Sequence, residues 1–478
     1  MNTCRHLFRP PALRLVAAAA LSFLSACAVG PDYQRPSTAA PASFKEAQAV
    51  DAGWFPAAPA DALDRGPWWE LFNDADLNVL AAQVEVSNQN VAAAAAASAQ
   101  ARALVRQQRA SLFPQLTLSG SVRRSGSGAG TANGAVNSLQ LGLGSSWEPD
   151  LWGKFARGVE GARASAQASD ADLAAARLSA QGELATSYFS LRDADTELAL
   201  VRSTVDGFER ALTITQNRYA AGIAPRTDVL QAQTQLANTR ADLATLTNQR
   251  AQLEHAIAVL IGKAPAEFTL PAAAWNMAVP AVPLVVPSEL LQRRPDIAAA
   301  ERAVAAANAQ IGIQRSAYFP SLGLSASYGN AGTRVGDLFG ASTSLWSIGM
   351  SVAQTVFDAG ATRARVEGAE AARDAAVARY RQATLTAFQA VEDKLSALRV
   401  LAEQQGLRRS ASEAADLTEQ QLLNRYKAGQ VSYTEVVTAQ ASALNARRTV
   451  SQVAANRQAA AIALIQALGG GWHAPALP

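Results

Sequence analysis

The side chains that most often carry covalent or metal chemistry are scarce here: two cysteines and three histidines in 478 residues. Cys4, His6 and Cys27 all lie at the extreme N-terminus, which leaves His255 and His473 for the rest of the chain. These two are far apart, and neither has ligand-spaced or triad-like neighbours. His255 falls inside a helical pattern and reads as an interface histidine. The glycines around 126 to 134 lie between two alternating strand patterns, not between a strand and a helix, so they form no phosphate-cradling loop. This chemistry points away from an enzyme and from any cofactor. What remains are residues that act by attachment, by turning the chain or by charge.

Attachment concerns Cys27. Arg5, Arg9 and Arg14 precede an apolar run from Leu15 to Leu24, followed by Leu24-Ser25-Ala26-Cys27. A basic start, a short apolar middle and small residues at a cut site make an export signal over 1–26, too short to span a bilayer as a helix. The cysteine at the cut site resembles a bacterial lipobox, which would make Cys27 the lipidated first residue of the mature chain; the competing reading is a plain signal with an incidental cysteine. Removing 1–26 takes away three arginines and no acid, so the formal charge of +3 falls to zero. A neutral chain lacks the basic patch that a nucleic-acid partner requires. With Cys4 removed and Cys27 acylated, no thiol is left for a disulfide or a metal cluster.

Turning the chain concerns a segment that occurs twice. Arg218-Tyr219-Ala220-Ala221-Gly222 returns 207 positions later as Arg425-Tyr426-Lys427-Ala428-Gly429. Thr227-Asp228-Val229 returns as Thr434-Glu435-Val436, and Phe113-Pro114-Gln115-Leu116 as Phe319-Pro320-Ser321-Leu322. A period this long is no solenoid repeat but a duplicated half-domain whose copies must fit beside each other. Each glycine segment reads as a helix stop, since glycine accepts the left-handed conformation there.

The elements that position these turns are long helices. From 154 to about 217 there is no proline, and Leu184, Leu191, Leu198, Val205, Leu212 and Tyr219 recur every seventh residue, with Ala194, Val201 and Phe208 three places on. Such a seam marks helices packed lengthwise as coiled coils, here about 96 Å long at 1.5 Å per residue. A second proline-free stretch covers about 360–425. Shorter helical patterns cover about 74–112, 226–261, 290–317 and 432–468. In each half the two short ones add to about 75 and about 65 residues, so stacked end to end they could line one long helix.

Between the helices, Leu116, Leu118 and Val122 alternate with Thr117, Ser119 and Ser121; Leu139, Leu141 and Leu143 alternate with Gln140, Gly142 and Gly144. The second copy alternates likewise through Leu322, Leu324, Ala326 and Tyr328, and through Trp346, Ile348, Met350 and Val352. Period two predicts half-buried strands, about nine to eleven residues each, the length that crosses a bilayer when tilted. Four strands cannot close a barrel, and an open edge in lipid leaves backbone groups unpaired, so several chains must share one barrel: two would give eight strands, three would give twelve. The alternative is a pair of soluble hairpins capping a coiled coil.

Taken together, Cys27-Ala28-Val29-Gly30-Pro31-Asp32-Tyr33, Pro67-Trp68-Trp69-Glu70-Leu71-Phe72-Asn73-Asp74, Arg293-Arg294-Pro295-Asp296-Ile297, Tyr318-Phe319-Pro320-Ser321-Leu322 and Ala467-Leu468-Gly469-Gly470-Gly471-Trp472 resemble the outer membrane factor (TolC-like) family, over essentially the whole mature chain. The closer resemblance is to the lipoprotein branch that serves resistance-nodulation-division efflux systems. It implies a mainly α fold with β: a long α-helical coiled-coil barrel, plus a transmembrane β-barrel shared between subunits, four strands per chain and twelve per trimer. It also implies this layout: signal peptide 1–26; lipidated N-terminus and equatorial segment 27–73; first repeat 74–262, with strands about 115–123 and 139–147; equatorial linker 263–288; second repeat 289–468, with strands about 321–329 and 345–356; and tail 469–478. The implied partners are two further copies of the chain, a periplasmic adaptor, an inner-membrane efflux transporter and outer-membrane lipid. Ala28, which is not aspartate, is compatible in similar lipoproteins with sorting to the outer membrane.

The same resemblance assigns roles to the turns. Tyr219, Gly222, Tyr426 and Gly429 match the periplasmic tips where an adaptor docks. Asp228 and Tyr426 match positions that link neighbouring coils in a closed state, and Glu435 matches an acidic position at the constriction. Three carboxylates in a narrow pore concentrate negative potential. Two positions depart from the pattern: Thr434 stands where leucine is frequent, and Thr438 where a second gate carboxylate is common. Glu435 has a competing reading as a first-turn acid that favours a helix N-terminus. The function so implied is a passive outer-membrane exit duct for small toxic solutes, with a protein-secretion channel and a lipid-anchored periplasmic spacer as rivals.

Overall fold

A computed structural model describes residues 29–46, 67–126, 135–273, 275–280, 282 and 293–470. Cys27, the export signal, the centre of the first hairpin loop, most of 281–292 and the tail beyond 470 lie outside the described residues. The chain is mainly helical and divides into two compact units. One comprises the stretch up to Ser37, Ala97–Ser169 and Ala299–Arg381; the other comprises Thr38–Ala96, Asp170–Ala298 and the stretch from Gln382.

The first unit holds all four described strands: β1 (Gln115–Ser125), β2 (Val136–Trp147), β3 (Ser321–Gly332) and β4 (Ser344–Ala353), antiparallel in the order β1-β2-β3-β4. Directly opposed residues share a face, so the register sorts the side chains. Leu118 pairs with Leu143, Leu143 with Tyr328, and Tyr328 with Trp346, which makes a continuous apolar row across the sheet. On the opposite face Ser119 pairs with Gly142 and Gly142 with Gly329, and in another row Ser325 pairs with Gly349, so that face is mostly small residues, although Leu345 stands opposite Gly329. Sequence alternation predicts half-buried strands. Within one chain, however, the apolar face is bare: Leu116, Leu118, Val122, Trp346, Ile348 and Met350 are all exposed. Leu139 is the exception, because the short turn Val335–Phe339 packs on β2 and β3 there. Both outer strands, β1 and β4, present an unpaired edge.

The hairpin roots are pinned by indoles. Trp152 stacks on Phe319 at 4.7 Å and donates to Pro320 O, while Trp147 donates to Leu112 O. An extended strap, 29–33, is tied to the same region. Val29 N donates to Trp152 O, Asn308 donates to Pro31 O, Arg157 pairs with Asp32, and the Tyr33 hydroxyl meets Glu301. Gly30 has φ +108° and a Cβ there would stand 2.5 Å from Gly312 Cα, so the strap lies on the helix only because both residues lack side chains.

The second unit is helical packing. Its helices include α1 (Ala75–Ser87) and parts of α2 (Gln89–Ala110), α3 (Lys154–Ala220), α5 (Pro295–Ser316) and α6 (Ala361–Lys427), with α4 (Arg226–Leu260) and α7 (Tyr433–Ala467) whole. The single helical pattern expected over about 74–112 is broken at Asn88. Its side chain accepts from Asn90 N and Val91 N as an N-cap and donates to Leu260 O, so one buried amide starts α2 and closes the end of α4. The heptad seam of α3 is inside: Leu184, Leu191, Leu198 and Val205 are buried, each worth about 1.5–3 kcal/mol of apolar burial. Successive layers towards the helix ends are Leu198, Val201, Leu246 and Leu444; then Val205, Phe208 and Leu236; then Ala211, Ala232, Tyr426, Tyr433 and Val436.

Two arginines, Arg192 buried and Arg250 half-buried, fasten the segment after α4. Arg192, 1% exposed, pairs with Asp76 and Asp195, donates to Pro271 O and lies 4.9 Å from the Tyr188 ring. Arg250 pairs with Asp195 and Glu254 and donates to Leu270 O. Nearby on α3, Asp193 accepts from Ser451 and lies by Glu197, which pairs with Arg448. Burial first, then the Glu197 charge, push the Asp193 carboxyl up to about 6 against the opposing pull of Ser451 and Arg448.

An acid whose folded pKa is raised binds its proton more tightly when folded. Its contribution is therefore fully present below the unfolded value near 4 and is lost as pH rises through about 6. We expect Asp193→Asn to flatten stability across that window, with a wild-type-minus-variant change of at most about 3 kcal/mol between pH 4 and 7. Unfolding of the detergent-solubilised protein at several pH values measures this; parallel profiles would refute it.

Candidate functional site

The two repeated segments end their helices in the same geometry. After α3, Gly222 N donates to Tyr219 O and Ile223 N to Arg218 O; after α6, Gly429 N donates to Tyr426 O and Gln430 N to Arg425 O. These are paired Schellman stops, with Gly222 at φ +73° and Gly429 at φ +76°. Neither glycine has a neighbour within 4 Å of where a Cβ would stand, so conformation rather than crowding demands glycine.

Restart of the chain differs between copies. α4 begins at Arg226 behind Pro225, with Asp228 in its first turn. α7 begins behind Ser432 in a capping box: Ser432 N donates to the Glu435 carboxylate, and the Ser432 side chain completes the pair. The first-turn reading of Glu435 thus has its geometry in the single chain. Glu435, Thr434 and Thr438 are exposed. Thr438 donates to Thr434 O, and Thr434 donates to Gln231 on α4, a side-chain link between the two restart turns.

The tyrosines diverge further. Tyr219 is 47% exposed, whereas its counterpart Tyr426 is 5% exposed. The Tyr426 ring lies 5.3 Å from that of Tyr433, and the Arg218 guanidinium sits 4.8 Å from its centroid. Burial pushes the Tyr426 phenol up, with Arg218 pulling the other way; burial and the adjacent Tyr426 push Tyr433 up to about 12. Asp228 belongs to the same group electrostatically. Burial pushes its carboxyl up while Arg218 pulls it down. The turns therefore bring together Asp228, Tyr426 and an arginine within one chain, and leave Tyr219, Glu435 and Thr438 facing outwards.

Beside this cluster is a groove of about 400 Å³ between α3, α6 and α7, lined by Phe208, Ile214, Leu423, Tyr426, Tyr433 and Gln440. Gln440 Oε1 has no hydrogen-bond partner among the described residues. Sequence reasoning missed Arg218, Tyr433 and Gln440. Tyr433 could have been found, because it stands opposite Arg226 when the copies are aligned and so marks where they part. Among the described residues no group of three or more His, Cys, Asp or Glu is placed to hold a metal, and no helix is long and apolar enough to cross a membrane.

Comparison with known proteins places this geometry in context. A family model described as outer membrane efflux protein matches 80–263 and 286–470, one match for each copy of the duplication. The chain is 30% identical over 455 residues to the cation efflux system protein CusC of Escherichia coli O6:H1, covering 94% of this chain and 97% of that one. It is 30% identical to the outer membrane protein OprJ of Pseudomonas aeruginosa, covering 97% of each. Among solved structures, the outer-membrane channel OprN superposes with a TM-score of 0.84 at 32% identity, covering 93% of this chain and all of that one.

We expect Gly222→Ala and Gly429→Ala each to cost about 1–2 kcal/mol, the penalty of a Cβ in the left-handed region. Gly207, equally open but inside α3, is the control, where alanine should be neutral or gain up to about 1 kcal/mol. Unfolding of the purified variants decides this: equal stabilities for all three would show that the stops are not conformationally constrained.

Proposed function

The chain belongs to the outer membrane efflux protein family, and from that premise we propose that it is the passive exit duct of a tripartite efflux system. Three copies form the duct. A periplasmic adaptor and an inner-membrane transporter deliver small toxic solutes to it, with energy supplied by the transporter and no bond made or broken in the duct. The observation that carries this is the sheet: one face is a largely bare apolar surface, the other is mostly serine, glycine and other small or polar residues, and both edges are open. In lipid such edges require partners, and β1 of one copy meeting β4 of the next supplies them.

Two finer readings accompany it. Cys27 is the acylated outer-membrane anchor, and the described strap that follows it supports this reading, because Val29 N donates to Trp152 O at the hairpin roots. The helix turns are the periplasmic tips, with Tyr219, Gly222, Tyr426 and Gly429 at the adaptor-docking surface and Asp228, Tyr426, Glu435 and Thr438 at the gate. The exposure of Tyr219, the groove beside Tyr426 and the charge cluster at Asp228 support these roles.

Two measurements test the proposal. Deleting the gene should increase sensitivity to drugs or metal ions while leaving exported proteins unchanged; lost exoprotein with unchanged sensitivity would defeat efflux. In planar bilayers the protein should give discrete conductance, and Asp228→Lys and Glu435→Lys should alter the resting leak. Unchanged conductance and unchanged antibiotic entry in both variants would remove the gate assignment.

A further inference from the structure

The four strands contain two charged residues, and they are adjacent: Arg123 and Arg124, at the end of β1 farthest from the helices. The register places them on opposite faces. Arg124 pairs with Asn137 and follows the parity of Leu118 and Val122, whereas Arg123 pairs with Ser138 and follows Ser119 and Ser121. Arg123 is therefore the sole charge on the small-residue face of the described strands. It is exposed and makes no ion pair among the described residues.

No acid near it compensates. The β1–β2 connection, 126–135, is glycine, serine, alanine, threonine and asparagine throughout. The β3–β4 connection carries one cation and one acid, Arg334 and Asp337. Asp337 is engaged elsewhere: its carboxylate accepts from Thr333 N and Arg334 N, and its side chain lies against Gly332, whose partner Leu139 has the apolar parity.

We propose that Arg123 is a charge filter at the outer mouth of the duct, favouring passage of anionic over cationic solutes. The proposal rests on the reading of the chain as a three-copy duct, in which the small-residue face lines the bore and the hairpin ends open outside the cell. Three guanidinium groups then ring a mouth whose small-residue strand face is otherwise uncharged and carries no acid to offset their potential. Screening limits their reach to about 10 Å at 0.1 M salt and about 3 Å at 1 M. The filter is thus strong at low salt and nearly silent at high salt.

The test is the reversal potential of the purified protein in planar bilayers under a KCl gradient. Arg123→Gln should lower the chloride-to-potassium permeability ratio about twofold near 0.1 M salt, and Arg123→Glu further, with both differences shrinking towards 1 M. Arg124→Gln, on the other face, should match wild type. Identical reversal potentials for wild type, Arg123→Gln and Arg123→Glu in a conducting channel would overturn the filter and leave the duct intact. Absence of discrete conductance in the wild type itself would overturn the duct, and the filter with it.

Discussion

A sheet satisfies its backbone only where every strand has two neighbours, and here β1 and β4 have one each. Soluble proteins protect such edges with charges, prolines, bulges or very short strands. This sheet does the opposite. Its strands contain no proline, their only charges sit at one end of β1, and exposed Leu116, Leu118, Ile348 and Met350 run up to both edges. An unguarded edge beside an apolar face is a hazard in water and a requirement in lipid, where the missing partner must be another strand. Joining β1 of one copy to β4 of the next is a head-to-tail contact of the kind that closes into a ring. The rest of the architecture serves that closure: duplicated hairpins supply matched strands, and the indole contacts of Trp147 and Trp152 fix the roots from which those strands leave the helices.

Much of this is legible in one dimension because it is periodic. The strands announce themselves through strict alternation, and the register then places Leu118, Leu143, Tyr328 and Trp346 in one row, which alternation alone could not do. The α3 seam is visible because sevenfold spacing survives as a buried stripe from Leu184 to Val205. The seam fails at its last member, Tyr219, where the helix runs out of partners and the ring is exposed. Features that depend on residues remote in sequence leave no such trace. Asn88 breaks a long helical pattern because its amide is claimed by Leu260 O, 172 positions away. Arg192 looks like a surface residue of an alanine-rich helix, yet Asp76, Asp195 and Pro271 O together enclose it. Its burial is tolerable only because the charge is fully paired and hydrogen-bonded.

Comparison of the two copies with each other is the most informative reading of the candidate site. Where they agree, the constraint is mechanical: both glycines have a positive φ and both stops use the same pair of backbone bonds, because a long helix must be ended and reversed twice. Where they differ, the constraint is chemical. Position 226 is arginine at the start of α4, whereas position 433 is tyrosine at the start of α7, and that ring provides a surface for Tyr426 to pack on. Tyr426 is thereby drawn inward under Arg218 while Tyr219 stays exposed. A duplicated turn has become two unlike turns, one held by an aromatic-cation stack and one free at its tip. The stacked turn belongs to α6 and α7 but takes its arginine from α3, so moving either helix pair against the other must break that stack.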